Sequence, residues 1–353
     1  MAGCPSVLAP STPRPIAQNL PAPDDLAFDN TGRLLFSDVN AGTVSALNAD
    51  GTMQRLASGI AEPEGIVARP DGTLLVAEQG RNRIDLVDPQ SHLVSVWRAF
   101  PNRTADAGID GIGPIIPAPG VGGRSIASAG DVVVPDSPNG VVWAVSPDGR
   151  SATRLATGMV RPVGAAIDGS GRLFVPDEGG ALWVLDPARH RFASLATPDD
   201  VSVTHGDQLF VTTLGDNAIH EFDAHGHQVS VLAASHQPQG IALDGADNLY
   251  FTEFYGGRID RLIRTFFLQV PSVTRMATGI YRVCPMIARA AGFSDPLSII
   301  AASTASVSAV QLVEPGTDSS GAIEVKTSDA SIRISILDKT AGLSLDQTVS
   351  LAS

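Results

Sequence analysis

Six places in this chain align by repeat, most of them just after a proline, and together they read Asp24, Glu64, Asp110, Val163, Asp199 and Gln239. Four of the six are carboxylates and one is an amide. Brought together, like charges raise one another's pKa and favour a bound cation. An all-oxygen set without Cys or His suits a hard metal, Ca2+ or Mg2+, with Asp24, Glu64, Asp110 and Asp199 as ligands. Such an ion would polarise a substrate oxygen while an axial carboxylate (Glu64 or Asp110) or His236 activates water. The alternative is a set of acids that water solvates without a metal. Asp25 and Asp200 adjoin two of the positions and take their place if the register shifts by one.

A second aligned set reads Asp38, Glu78, Asp136, Asp177, Thr213 and Glu253. Each precedes an Asn- or Gly-rich turn. A carboxylate there ordinarily accepts backbone N–H bonds and ties the turn down, so the structural role is the expected one. Glu178 follows Asp177 and points to the same region. Of the histidines, His220, His225 and His227 read as surface residues of a third strand and its turn. His205 falls in a hairpin turn at the opposite end of its unit. His236 precedes Gln237-Pro238 and is the best general-base candidate. Arg161, before Pro162, and the amide of Gln239 are candidates for substrate binding. No phosphate loop, nucleophile elbow or triad spacing is present.

These positions are meaningful only if a repeating element brings them together. Units start at Pro23, Pro63, Pro162, Pro198 and Pro238, with spacings of 40, 36 and 40 residues for the pairs 23/63, 162/198 and 198/238. A sixth unit fits between Pro63 and Pro162, its first strand opening at Asp110, where IDGI parallels the PEGI of Glu64. Within a unit a short apolar run meets an Asp, Asn or Gly turn, then an alternating run, a second turn and two further strands. Four short antiparallel strands in about 40 residues, repeated, predict a propeller blade. The fold expected is all-β: a six-bladed propeller over 15–270, with Arg14–Leu20 pairing into the last blade to close the circle and hide two sheet edges. Beyond Val270, period-two runs such as SIRISILDK predict a small β-sandwich, Ig-like in the loose sense, over 275–353. A helix across Pro285–Ala291 is a rival for that segment alone.

The formal charge of −13 argues against nucleic acid, whose phosphates demand a basic footprint, and against anionic lipid surfaces. No apolar run is long enough to span a membrane. Cys4 and Cys284 make neither a zinc spacing nor a disulfide framework, and Cys284 reads as a buried, inert thiol. Ala-Gly-Cys4 followed by a Pro/Ser/Thr-rich stretch is similar to the end of a bacterial lipoprotein signal. That predicts a tether over 1–14, a lipid anchor at Cys4 and a place at the extracytoplasmic cell envelope; otherwise the protein is cytoplasmic.

P-x-G-I, then D-G-x-L-x-V-A-E, then N-R-I, as they stand from Pro63 to Ile84, resembles NHL-type repeats. It also resembles the senescence-marker-protein/gluconolactonase family and virginiamycin B lyase, all propellers. The resemblance covers roughly residues 15–270. It implies a metal held by acidic and amide residues at the post-proline positions, most directly Glu64 and Asp110, then Asp24 and Asp199. The lyase's His after the blade-opening Pro has no counterpart here. The function implied is a divalent-metal-dependent hydrolase of lactone-like or small ester substrates. The alternative is a non-catalytic NHL-type propeller that binds a ligand or protein partner at the cell envelope.

Overall fold

The computed structural model describes residues 12–48, 51–101, 108–118, 125–186, 188–234, 236–290, 295–303, 307–313, 322–340 and 342–351. The chain divides into two compact units, Arg14–Arg261 and one that takes in Leu262–Ser353. The first is a six-bladed β-propeller. Blade 1 is built from Pro23–Phe28, Leu34–Asp38, Thr43–Leu47 and Met53–Ser58, hydrogen-bonded in that order. Blade 2 (Pro63–Ala68, Leu74–Glu78, Arg83–Asp88, Leu93–Ala99) and blade 5 (Pro198–Val203, Leu209–Thr213, Ala218–Phe222, Gln228–Ala233) repeat it. In blade 4 the first strand is reduced to Ala166–Ile167.

The sequence dictates this layout through its turns and its alternation. Asp29 accepts the N–H groups of Thr31 (2.8 Å) and Arg33 (3.0 Å), while Gly32 takes the positive φ of 81° that closes the first hairpin. Asp168 and Asp244 do the same in blades 4 and 6. Each second strand is buried along its whole length, so its residues pack against the blades on both sides. One such interface sets Leu35, Val44 and Leu56 of blade 1 against Ile66, Leu74 and Val76 of blade 2.

Blade 3 departs from the pattern. Its regular strands are Val132–Asp136, Val141–Val145 and Ala152–Thr157. The segment from Asp110 holds the innermost place as extended chain, tied by one isolated bridge between Ile115 and Val132 and by Val133 N–H to the Pro114 carbonyl at 3.0 Å. The opening at Asp110 is thus in the expected place, without a regular strand. In blade 6, Ile241–Leu243, Leu249–Glu253 and Arg258–Leu262 are completed by Arg14–Gln18, antiparallel with Arg14 opposite Arg261 and Gln18 opposite Arg258. The circle closes as the sequence predicts, and Arg14 belongs to the closing strand rather than to a tether.

The second unit begins at Leu262, earlier than the sequence reading placed it. One sheet pairs Phe266–Ala277, Ile280–Arg289 and Ile323–Lys326; the other orders Val307–Val313, Leu297–Ala302, Ser331–Asp338 and Leu343–Ser350. Val283, Ile287 and Val325 of the first sheet pack on Ile299, Ile334 and Ile336 of the second, the core of a β-sandwich. Residues 285–289 are strand, so the helix does not form there. Cys284 is buried but disulfide-bonded, which corrects its reading as a free thiol. Cys4 and its anchor lie outside the described residues. No helix among the described residues is long and apolar enough to cross a membrane.

Candidate functional site

At the propeller axis a pocket of about 330 Å3, counting the solvent at its mouth, is lined by Asp24, Asp25, Glu64, Asp110, Asp199 and Asp200. Asp24, Glu64, Asp110 and Asp199 are all buried, each carried by the inner segment of its blade. The inner segments are sewn to one another by backbone bonds between neighbouring blades: Gly65 N–H to the Asp110 carbonyl (2.9 Å), Gly164 to Asp199 (3.1 Å) and Gly240 to Asp24 (2.9 Å). The residue after each ring position must be small where blades approach this closely. A Cβ on Gly65 would sit 2.5 Å from Ile112 N, and one on Gly111 2.1 Å from the Val163 carbonyl oxygen. Gly111→Ala is therefore expected to cost about 3 kcal/mol and lower Tm by several degrees. Gly245→Ala, with open space around it, should leave Tm within about 1–2 °C. Differential scanning calorimetry of the pair checks this; equal Tm values would refute the crowding.

In blades 1 and 5 the small residue is replaced by Asp25 and Asp200, and these aspartates do not displace the ring: they add to it. The Asp25 carboxyl accepts Ile66 N–H from blade 2 at 2.6 Å, and that of Asp200 accepts Ile241 N–H from blade 6 at 3.0 Å. Their own amides are capped alike, by Ser37 Oγ and Thr212 Oγ1, both at 2.9 Å. The two carboxyls are also hydrogen-bonded to each other.

Six acids in so little water cannot all be ionised. Burial pushes Asp24 up to about 8, with repulsion from Asp110, Asp200 and Asp38 added and a hydrogen bond with Glu64 pulling the other way. Glu64 is raised well above its usual range by burial first, then by the charges of Asp24 and Asp110. Asp199 is raised by burial, then by Asp110 and Asp24. Asp25 is raised well above the carboxylate range by burial and by Asp200, and Asp200 itself by burial to about 6. Glu64 is hydrogen-bonded to both Asp24 and Asp110, contacts that require a shared proton.

Asp110 is the ring acid that has a cationic partner. Arg161 pairs with it and also with Glu178, at 2.8 Å, while Gln79 donates its side-chain amide to the other Asp110 oxygen. Among the described residues no other ring acid forms an ion pair. Arg161 therefore carries two carboxylates on its guanidinium and is not itself among the residues that line the pocket. The structure brings Asp24, Glu64, Asp110 and Asp199 together. It does not bring His236 or Gln239 into the pocket wall. His236 has a half-exposed ring whose Nδ1 lies 3.6 Å from Glu253. Among the described residues no three His, Cys, Asp or Glu side chains are placed to grip one metal ion as they stand.

The second aligned set is made of turn anchors. Asp177 accepts the N–H groups of Arg161 (2.8 Å) and Gly179 (3.1 Å) and the Trp183 indole (3.0 Å); Asp38 accepts Ala22 and Ala41. Glu78 holds Ala61 N–H at 2.7 Å and is ion-paired with Arg83 at 2.5 Å. His225 and His227 are exposed as expected, but His220 is buried, between Asp216 (3.0 Å) and Gln228 (3.1 Å) and stacked on Phe222. The aspartates at 25 and 200 are what sequence reasoning treated only as register alternatives. The available signal was that units 2, 3, 4 and 6 carry Gly65, Gly111, Gly164 and Gly240 at that place.

No protein-family model matches the chain, and no curated protein does. Solved structures do. A gluconolactonase from Xanthomonas campestris is 19% identical, with a TM-score of 0.59 over 74% of this chain and 94% of that one. A calcium-binding regucalcin from Agrobacterium tumefaciens is 13% identical, with a TM-score of 0.58 over 71% and 93%. Virginiamycin B lyase from Staphylococcus aureus is 16% identical, with a TM-score of 0.51 over 68% and 79%. At these identities the likeness is one of fold: the chain is similar to six-bladed propellers of the gluconolactonase and regucalcin kind.

Proposed function

We propose that the protein is a divalent-cation-dependent hydrolase of lactone-like or small ester substrates, acting at the axial pocket. The observation that carries this reading is the set of buried carboxyls that share protons around one small pocket. That arrangement favours a cation, which would replace the shared protons, and supplies acid–base groups at the same place. The donors are oxygen only, which fits Ca2+ or Mg2+, and Asp24, Glu64, Asp110 and Asp199 would hold the ion. When bound, it would polarise the substrate carbonyl and acidify a water. Glu64, between Asp24 and Asp110, takes a proton from the attacking water and returns it to the leaving alkoxide. Asp110, fixed by Arg161 and Gln79, orients Glu64 through their mutual hydrogen bond. His236, outside the pocket wall, has no part in this scheme.

The test combines metal analysis of the purified protein, Ca2+ titration followed by thermal shift, and a panel of lactones and esters. Expected are a stabilising divalent ion, turnover of at least one lactone, and a fall in kcat of about 10^2- to 10^3-fold for Glu64→Gln. A stabilising ion with no turnover on the panel would favour the non-catalytic binding module. Absence of both a stabilising ion and turnover would sink the hydrolase.

A further inference from the structure

We infer that the substrate carries an apolar substituent, which lies across blades 5, 6 and 1 while its reacting end faces blades 2 to 4. The inference rests on the hydrolase reading and concerns what that site selects. The residue directly after the second strand is Val39, Gln79, Ser137, Glu178, Leu214 and Phe254 in blades 1 to 6. In five blades its N–H donates to the carbonyl two residues before the ring position: Val39 to Ala22 (3.0 Å), Gln79 to Glu62 (3.0 Å), Glu178 to Arg161 (3.0 Å), Leu214 to Thr197 (2.9 Å) and Phe254 to Gln237 (3.1 Å). The same bond in these five blades, and the Ser137 contact with Asp110 in blade 3, set the position beside the ring all round the circle.

What stands there differs around the circle. Gln79 reaches Asp110, Glu178 reaches Arg161, and the Ser137 hydroxyl accepts Asp110 N–H at 3.3 Å, so blades 2 to 4 present polar groups converging on Asp110. Blades 5, 6 and 1 present Leu214, Phe254 and Val39, each half-buried. Blade 6 abuts blade 1 at the ring through the Gly240 N–H bond to the Asp24 carbonyl, which makes these three a continuous arc. Tyr255, 74% exposed, extends it outward with its ring edge-on to Phe254 at 5.1 Å. Apolar side chains at this position in three blades, polar ones in the other three, and an acidic pocket beside them whose own lining includes none of the six match a small ester or lactone with an alkyl or aryl group on one side. A uniformly polar sugar lactone would leave this arc without a partner.

The experiment is a chain-length series of γ-lactones, unsubstituted to octyl, with kcat/KM for turnover. The matching non-hydrolysable γ-lactams serve as competitors or, should no lactone turn over, as ligands in calorimetry. Expected is a rise of about threefold per added methylene until the arc is filled. Phe254→Ser and Leu214→Ser, made separately, each lower the octyl-to-unsubstituted ratio about tenfold. Val229→Ser, on the exposed outer strand of blade 5, leaves that ratio alone. Lactone turnover with a flat or falling series would overturn the inference and leave the hydrolase standing. Absence of all turnover overturns the hydrolase; lactam affinity then decides the inference, a rise with chain length that Phe254→Ser abolishes supporting it and a flat series overturning it.

Discussion

Stripped of divalent ions, the protein is expected to melt about 10–20 °C lower at pH 8.5 than at pH 5.5. Asp24, Asp25, Glu64, Asp199 and Asp200 have folded pKa values above their unfolded ones. Their contribution to stability is fully present below the unfolded value near 3.8 and is lost as pH rises through the folded value, about 6 for Asp200 and about 8 for Asp24. Between pH 5.5 and pH 8.5 the loss from Asp24 alone is of order 3 kcal/mol, and Asp25, Glu64, Asp199 and Asp200 add to it, which together give the stated drop in Tm for a propeller of this size. Acids held low, such as Asp223 at about 2 and Asp168, act in the opposite sense but only as pH falls below about 4, outside the window. Asp25→Asn isolates one term. The amide can still accept Ile66 N–H and donate to Asp200, and it removes one ionisation from the pocket. We expect it to raise Tm by several degrees at pH 8.5 and to change it little at pH 5.5. Asp25→Ala, which leaves Ile66 N–H without its acceptor, should lose about 1–3 kcal/mol at both. Calorimetry in chelator over that range decides; equal destabilisation by Asp25→Asn at both ends would mean that Asp25 does not change its ionisation between them.

Much of this was legible in the sequence because a propeller writes its geometry into a repeat. The spacing of the prolines fixed which residues share a face, and the likeness of IDGI to PEGI put Asp110 at the opening of blade 3 even though that blade lacks a regular inner strand. The turn anchors were legible too, since an acid before an Asn/Gly turn has one common use. What the repeat could not convey was how closely neighbouring inner segments pass. That distance turns Gly65 and Gly111 into steric necessities, and it turns Asp25 and Asp200 from neighbours of the ring into members of the pocket. Partners chosen across blades were equally hidden: Arg161 and Asp110 are far apart in sequence and meet only when blades 3 and 4 pack. His220 reads as an outward residue of a third strand, yet Asp216 and Gln228 enclose it, because the turn before the strand and the start of the next fold over its ring.

Cation affinity is expected to rise about 100-fold between pH 6 and pH 8. The carboxyls that would hold the ion are the ones hydrogen-bonded to each other, Asp24 to Glu64 and Glu64 to Asp110, and such pairs keep a proton. A cation must displace it, and each displaced proton makes apparent affinity climb about tenfold per pH unit below the pKa of the group that loses it. With Asp24 at about 8, the climb continues to that pH and then flattens. The direction is opposite to the stability trend of the ion-free protein, so added Ca2+ should raise Tm most at pH 8, where the bare acids repel one another most strongly. Asp24→Asn removes one ligand and its titration together, so it should both weaken binding and flatten the pH dependence. Titration calorimetry at three pH values, in two buffers of different ionisation enthalpy, reads affinity and proton release in one experiment. Affinity that stays constant from pH 6 to 8 with no proton released would show that no cation enters this carboxyl cluster.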